Sequence, residues 1–213
     1  SIIVKDESFF KYTTPSLEQS YILANYIYLD NKERWEFIHK ELEYLVPLSN
    51  IIPEKKFFSS NVSYKIDLLN NPTKIIYWKA TLLENYESND IFNYTSYPLE
   101  LNKKGKLINN SLIIINSINR EDIDSSDFYQ KIQIYKNNMR SPQDGIYMYS
   151  FSLYPNEYQP SSSINFNKID DAYIQFRLNK LINYQNPVII KAYAVSYNIL
   201  RIIDGLGSLV FYG

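Results

Sequence analysis

Residues that could carry catalysis or bind a metal are few in this sequence. The single histidine, His39, falls on or near the polar side of a stretch with helical periodicity, where a solvated histidine is the ordinary interpretation. With one histidine and no cysteine, a cupin-type metal site, a thiolate zinc site and a cysteine nucleophile all lack ligands or reactive groups. No G-x-S-x-G motif is present, so a serine hydrolase can be set aside.

Other charged or glycine-rich groups also fail to form a reactive site. The main acidic cluster, which lacks the glycine and distal glutamate of an EF-hand loop, comprises Glu121, Asp122, Asp124 and Asp127. We interpret it as a solvated cap of a short helical turn. Asp170 and Asp171 are adjacent, so in an extended run they face opposite sides and cannot act as a pair. Gly205, Gly207 and Ser208 are too few for a phosphate loop. The sequence predicts no enzyme, no metal and no cofactor.

Composition points to a sheet protein and away from nucleic acid. The chain has 213 residues and a net charge of −1, and no run of lysine or arginine exceeds two residues, so we expect no direct nucleic-acid binding. It contains 21 tyrosines and 11 phenylalanines but only 5 glycines, which favours strands joined by asparagine-rich turns. No window approaches the roughly 20 apolar residues of a membrane span, and the first ten residues lack a signal-peptide layout.

The first third of the chain contains the elements that lead into this sheet region. Residues 20–29 are apolar on both alternating faces, as in a strand buried between layers. Asp30 and Glu33 have the spacing of a capping box, and the apolar repeat that follows predicts a helix through Trp35, Ile38, Leu42 and Leu45. Pro47 and Pro53 bracket a connector, where we place a domain boundary.

The remainder predicts about eight strands separated by turns. The strand-like runs are 62–68, 74–83, 112–118, 146–154, 172–178 and 188–200, with a hairpin turning at Lys104 and Gly105 and a helical turn at 128–132. Pro155 and Pro160 follow the run at 146–154 and cannot occupy a central strand, so they mark a stiff surface crossing. The predicted fold is all-β, an eight-stranded antiparallel sandwich of jelly-roll type with one short linking helix and long loops.

Three blocks of residues resemble the signature of the major capsid proteins of nucleocytoplasmic large DNA viruses. The first block contains Tyr26, Tyr28, Leu29, Asp30, Glu33 and Arg34. The second contains Arg140, Ser141, Pro142, Gly145, Tyr149, Phe151, Gln159, Pro160, Ser161, Asn165, Phe166, Ile169 and Asp170. The third contains Tyr193, Ala194, Tyr197, Asn198 and Arg201. The blocks stand in family order. One departure is that Ser162 stands where the family usually has glycine after Gln-Pro-Ser.

The resemblance implies a double jelly-roll protein, of which residues 1–30 are the end of the first jelly roll, its remainder being absent. It assigns residues 31–53 to a linking helix and connector, and residues 54–213 to the second jelly roll. Such proteins form homotrimers, which are pseudo-hexagonal capsomers of an icosahedral shell over an internal membrane. The implied partners are the protein itself, neighbouring capsomers and minor capsid proteins. The implied location is the virion, after assembly in the host cytoplasm.

Two alternatives remain open beside the capsid interpretation. A poxvirus-like scaffold of the same fold would coat an immature membrane without remaining in the virion. A carbohydrate-binding jelly-roll module is suggested by the abundance of tyrosine, which can line a sugar-binding face as well as pack a core or an interface.

Overall fold

The computed structural model describes residues 19–66, 69–96, 105–140, 142–179 and 182–211. Contacts divide the chain into two units: the first comprises Ser1–Leu42 and Ile202–Leu206, and the second Glu43–Arg201 and Gly207–Gly213. The assignment of residues 1–30 to a first jelly roll stays a prediction.

Helix α1 (Asn31–His39) is the main element of the first unit, and its start was predicted correctly. Asp30 accepts a hydrogen bond from the Glu33 amide at 2.8 Å, and the Glu33 carboxylate accepts one from the Asp30 amide at 3.2 Å. This reciprocal pair is a capping box, which satisfies two otherwise unpaired donors at the helix start. Glu36 and Lys40 form an i,i+4 ion pair at 3.0 Å.

Two predictions in this region were wrong. The helix does not continue through Leu42 and Leu45, because the backbone becomes extended at Lys40 and the next strand begins at Leu42. Pairing with the sheet outweighs helix propensity there. The run at 20–29 forms no strand among the described residues, within which most of its apolar side chains are exposed.

The described residues form ten strands. These are β1 (Leu42–Phe57), β2 (Asn61–Lys65), β3 (Pro72–Leu82), β4 (Ile108–Ile115), β5 (Ile118–Asn119), β6 (Ile146–Ser150), β7 (Ile164–Asn165), β8 (Ala172–Leu178), β9 (Val188–Ile203) and β10 (Leu206–Leu209). One sheet has the order β1-β9-β3-β6, with β10 on β9 and β7 on β3, and the other has the order β2-β8-β4-β5. The prediction of an all-β antiparallel sandwich is therefore confirmed.

The core of the larger unit lies between the two sheets. In the first sheet, Trp78 of β3 stands opposite Ala192 of β9 and Tyr147 of β6. The Trp78 side chain is fully buried, and its ring lies 6.4 Å from that of Phe176 on β8 of the second sheet. Alternate residues of β8 point inward, as the period of two in the sequence predicts. Rings from both sheets thus meet in one core.

Short helices complete the larger unit. Helix α2 (Leu83–Glu87) follows β3 directly, and a π-helical stretch (Phe128–Ile132) runs into α3 (Gln133–Lys136), where the sequence predicts a helical turn. Asp127 precedes that stretch, but its side chain makes no capping hydrogen bond, so the predicted role of the acidic cluster as a cap is wrong at this residue. A 3-10 helix (Phe166–Lys168) follows β7. The predicted turn residue Lys104, most of its hairpin, and Asp67 and Leu68 of the predicted strand lie outside the described residues.

Candidate functional site

The segment from Gly145 to Phe166 carries most of the signature, and its strand supplies buried rings to the core. Strand β6 is shorter than the predicted run at 146–154 and ends at Ser150. Tyr147 stacks on Trp78 with ring centroids 6.2 Å apart. Burial raises the pKa of the Tyr147 hydroxyl far above its ordinary value, so the phenol stays neutral.

A second group of rings ties the end of β6 to the end of the signature segment. Phe151 contacts Tyr149 edge to face at 5.0 Å and Phe166 at 6.0 Å. Tyr149 also lies 6.2 Å from Tyr129, whose own ring contacts Trp78 at 5.2 Å. The signature positions Tyr149, Phe151 and Phe166 are therefore brought together as packing residues. Each aromatic pair adds about 0.5–1.5 kcal/mol beyond burial.

The backbone conformation at the start of β6 requires glycine at position 145. Its φ is +88°, in the region that favours glycine. A Cβ atom at this position would lie 2.6 Å from the Tyr94 Cβ and 2.9 Å from the Tyr94 carbonyl oxygen. Both the backbone angle and the close approach of the neighbouring chain exclude larger residues.

We use the name signature loop for residues 151–163, which cross the surface between β6 and β7. Ser161 closes this loop: its hydroxyl accepts a hydrogen bond from the Tyr154 amide at 2.8 Å and shares one of 2.6 Å with the Ser152 hydroxyl. The Leu153 amide also donates to the Ser161 carbonyl at 3.3 Å. The loop is thus held by its own polar groups, with Pro155 and Pro160 limiting the backbone further.

The base of the signature loop is fixed to the sheet by a lysine. Lys74 of β3 donates from Nζ to the Pro155 carbonyl at 2.9 Å and lies 5.4 Å from the centre of the Tyr197 ring. Partial burial lowers the pKa of the Lys74 ammonium from its usual value. At the far end of the loop Ser162 has φ = +115°, a strained value for a serine.

Large apolar side chains stand out from the signature loop. Leu153 and Tyr154 are more than half exposed, and Tyr158 is 94% exposed. The signature residues Gln159 and Pro160 next to them are exposed as well. A rigid loop that presents aromatic and aliphatic side chains to solvent has the composition of a protein contact surface.

Several signature residues act locally on the backbone. Asn165 accepts a hydrogen bond from the Asn167 amide at 3.0 Å and so starts the 3-10 helix. The Asp170 amide donates to the Asn116 side chain at 3.1 Å, while its carboxylate faces solvent. Arg140 is exposed and Pro142 is partly buried, and Ser141 lies outside the described residues.

The two flanking signature blocks also have structural contacts. Asn198 is 1% exposed and binds Phe211 twice, donating to its carbonyl at 2.7 Å and accepting from its amide at 3.1 Å. Arg201 donates from Nε to Glu43 at 2.7 Å on the surface, a pair that contributes little to stability. In the first block, Tyr28 is exposed, and the Arg34 amide donates to the Asp30 carbonyl at 3.0 Å.

The chemistry-bearing residues do not assemble into a catalytic centre within the described part of the chain. His39 stacks on Trp35 at 4.5 Å and is bound to the Trp35 carbonyl through Nδ1 at 2.9 Å, on an exposed helix. Asp127 pairs with Lys106 and with Lys131, and these two hydrogen bonds lower the pKa of its carboxyl. Within residues 19–211 less the gaps, no group of three acidic, histidine or cysteine side chains could hold a metal. No described helix has the length and apolar character to cross a membrane.

The sequence and the fold are similar to those of viral capsid proteins. Residues 33–208 match the family described as large eukaryotic DNA virus major capsid protein. Probable capsid protein 4 of Acanthamoeba polyphaga mimivirus is 35% identical over 200 residues, which cover 90% of this chain and 38% of that protein. The major capsid protein of Pyramimonas orientalis virus is 26% identical over 220 residues, covering 92% of this chain and 50% of that protein.

A solved structure gives the same result for the fold. A chain of the PBCV-1 virus capsid superposes with a TM-score of 0.68 at 23% identity, over 88% of this chain and 56% of that chain. This likeness confirms the predicted jelly-roll class. The present chain spans half or less of the length of the two relatives it matches in sequence.

Proposed function

Because the chain belongs to the family of large eukaryotic DNA virus major capsid proteins, we propose that it trimerises into pseudo-hexagonal capsomers of an icosahedral shell. Family membership makes it a structural protein of the virion rather than an enzyme. Its proposed partners are two further copies of itself, neighbouring capsomers and minor capsid proteins. Assembly takes place in the host cytoplasm, and the finished shell lies close to an internal membrane.

The observation that carries the trimer proposal is the exposed apolar surface of the signature loop. Tyrosine and other aromatic residues are enriched at the centres of protein interfaces, where burial stabilises the complex. Leu153, Tyr154 and Tyr158 are presented by a loop whose shape is already fixed by Ser161, so little ordering entropy is lost on contact. We place this loop at a contact between subunits.

Residues 20–29 support the proposal that the chain continues a first jelly roll. This run is rich in apolar residues, yet three of its side chains are each 87% or more exposed: Ile22, Leu23 and Ile27. A run that is apolar on both faces suits a strand covered on both sides, and no described residue covers it here. The relatives' greater length leaves room for the covering layer.

The oligomeric state and mass of the native protein test the proposal. Native mass spectrometry of protein released gently from virus particles should give a homotrimer whose subunits are about twice as long as this chain, as the 50% coverage of a relative indicates. A stable monomer at assembly concentrations would contradict the capsomer proposal. Subunits no longer than this chain would contradict only the assignment of residues 1–30.

The contribution of the signature loop is tested separately with Pro160→Gly. The added backbone freedom in an exposed loop should lower trimer yield more than it changes the circular dichroism spectrum. Unaltered trimer yield and melting temperature would refute the role of the loop. Recovery of the protein from purified mature particles distinguishes a capsid protein from a scaffold, since a scaffold would be absent from them.

A further inference from the structure

A cleft at one end of the sandwich contains none of the signature residues, and its inner part is lined by the core residues Leu82, Leu107 and Ile182. It consists of a hollow of about 370 Å³ and a smaller one of about 70 Å³, which share Leu82, Glu84 and Asn186. Its walls are the end of β3, helix α2 and the turn before β9. The larger hollow lies within the roughly 300–1,000 Å³ of small-molecule sites.

One wall of the cleft is a preformed aromatic platform. The ring of Tyr184 lies on the ring of Phe58, with centroids 5.1 Å apart and planes 17° from parallel. Lys56 covers Phe58 with Nζ 5.6 Å from the ring centre. Phe58 therefore supports the tyrosine ring, yet Tyr184 remains 85% exposed and lines the larger hollow. A supported, open aromatic face is costly to leave in water unless something covers it.

Polar groups surround this platform. Glu84 and Glu87, three residues apart on α2, present exposed carboxylates to the larger hollow. Ser96 lines the smaller hollow and is only 6% exposed. Its hydroxyl has no hydrogen-bond partner among the described residues. A buried hydroxyl without a partner is uncommon, because leaving it unpaired costs about 1–3 kcal/mol. A ligand hydroxyl entering the smaller hollow would satisfy it.

From this combination we propose that the cleft binds a carbohydrate. A sugar ring has an apolar C–H face, which stacks on an open aromatic ring, and an edge of hydroxyls, which donate strongly to carboxylates. The two carboxylates disfavour a phosphate-bearing ligand, since Lys56 is the one cationic side chain among the described residues that line the larger hollow. The cleft also lacks a third acidic, histidine or cysteine side chain that would complete a metal site within the described residues. A neutral polyhydroxylated ring can stack on Tyr184 and donate hydrogen bonds to Glu84 and Glu87.

The test is a glycan array probed with the purified chain, followed by titration of the best-binding oligosaccharide against variants. The array holds defined neutral and acidic sugars, with polysaccharide from the host cell surface and glycans released from virus particles as separate arms. These two arms distinguish attachment to the host from contact with the virion's own glycans. We expect one family of neutral sugars to bind.

Tyr184→Ala is expected to weaken that binding at least tenfold, and Tyr184→Phe to retain most of it, because the ring supplies the contact. Tyr135→Ala is the matched control, since Tyr135 is also 85% exposed but lies on α3, outside the cleft. Glu84→Gln should weaken binding without changing the melting temperature. Absence of binding to every arm, or equal binding by Tyr184→Ala and Tyr135→Ala, would overturn the proposal. Neither result bears on the trimer proposal, which is tested separately by native mass spectrometry.

Discussion

Replacing Ser162 with glycine is expected to stabilise the fold. Ser162 has φ = +115°, a value that side chains other than glycine rarely adopt. It stands where the family signature usually has glycine. The residue is exposed, and its hydroxyl makes no hydrogen bond among the described residues, so the substitution removes no contact there.

The magnitude follows from two opposing terms. Holding a non-glycine residue in a sparsely populated backbone region costs about 1–3 kcal/mol. Glycine adds freedom to the unfolded chain, which costs roughly 0.5–1 kcal/mol. The net gain is therefore between about 0 and 2.5 kcal/mol. Each kcal/mol raises the melting temperature of a chain of this size by about 2–4 °C.

Urea unfolding of the wild type, Ser162→Gly and Ser163→Gly measures this difference. Ser163 is the matched control because it is the exposed neighbour in the same loop, and its φ is not positive. Ser163→Gly should lose up to about 1 kcal/mol for the entropic reason alone. Equal destabilisation by both substitutions would show that Ser162 carries no strain and would refute the reasoning.

Three further predictions concern buried parts of the fold. Gly145→Ala should destabilise the fold by about 2 kcal/mol or more, since the new Cβ atom would lie 2.6 Å from the Tyr94 Cβ atom. A melting temperature within about 1 °C of the wild type would contradict this. Asn198→Ala should cost roughly 1–3 kcal/mol and increase amide exchange at Phe211, whose amide and carbonyl lose their partner. Burial raises the pKa of Tyr64 to about 12, so the contribution of Tyr64 to stability should be complete below pH ~10 and be lost as the pH rises toward 12; an equal loss of stability over this range in Tyr64→Phe would count against this.

Strands were predictable where one face is buried. In β8, Ala172, Ile174 and Phe176 are buried and alternate with more exposed residues, so the period of two is visible in the sequence. The order of strands within the sheets, β1-β9-β3-β6 for example, depends on contacts between distant residues. No local pattern contains that information, and the family resemblance supplied the architecture instead.

The C-terminal end of helix α1 was predicted too late because residues of the following strand also fit the helical period. Leu42 and Leu45 continue the helical spacing of Trp35 and Ile38, yet they belong to β1. The alternation of Val46, Leu48 and Ile52 on the inward side of β1 was the competing signal. Pro47 and Pro53, taken as borders of a connector, are compatible with a strand at the edge of a sheet.

The candidate sites were predictable only in part. The importance of Gly145 came from the resemblance, whereas Pro160 was also singled out by its backbone chemistry. The structure gives the close approach of Tyr94 as the reason for the glycine. The sequence did not predict that the Ser161 hydroxyl closes the loop, because its bond to the Tyr154 amide joins residues seven positions apart. The stacking of Phe58 on Tyr184 joins residues 126 positions apart, and no sequence pattern predicts it.

In the proposed trimer, closure of the signature loop by Ser161 affects how fast subunits join. A contact loop that orders only on binding makes productive encounters rare, because most collisions meet the wrong conformation. Here the Ser161 hydroxyl accepts from the Tyr154 amide and shares a hydrogen bond with the Ser152 hydroxyl within one chain, before any neighbour arrives. Each collision then needs only the correct orientation. Loss of the hydroxyl in Ser161→Ala is consequently expected to lower the rate at which subunits associate into the proposed trimer rather than to raise the rate at which they dissociate.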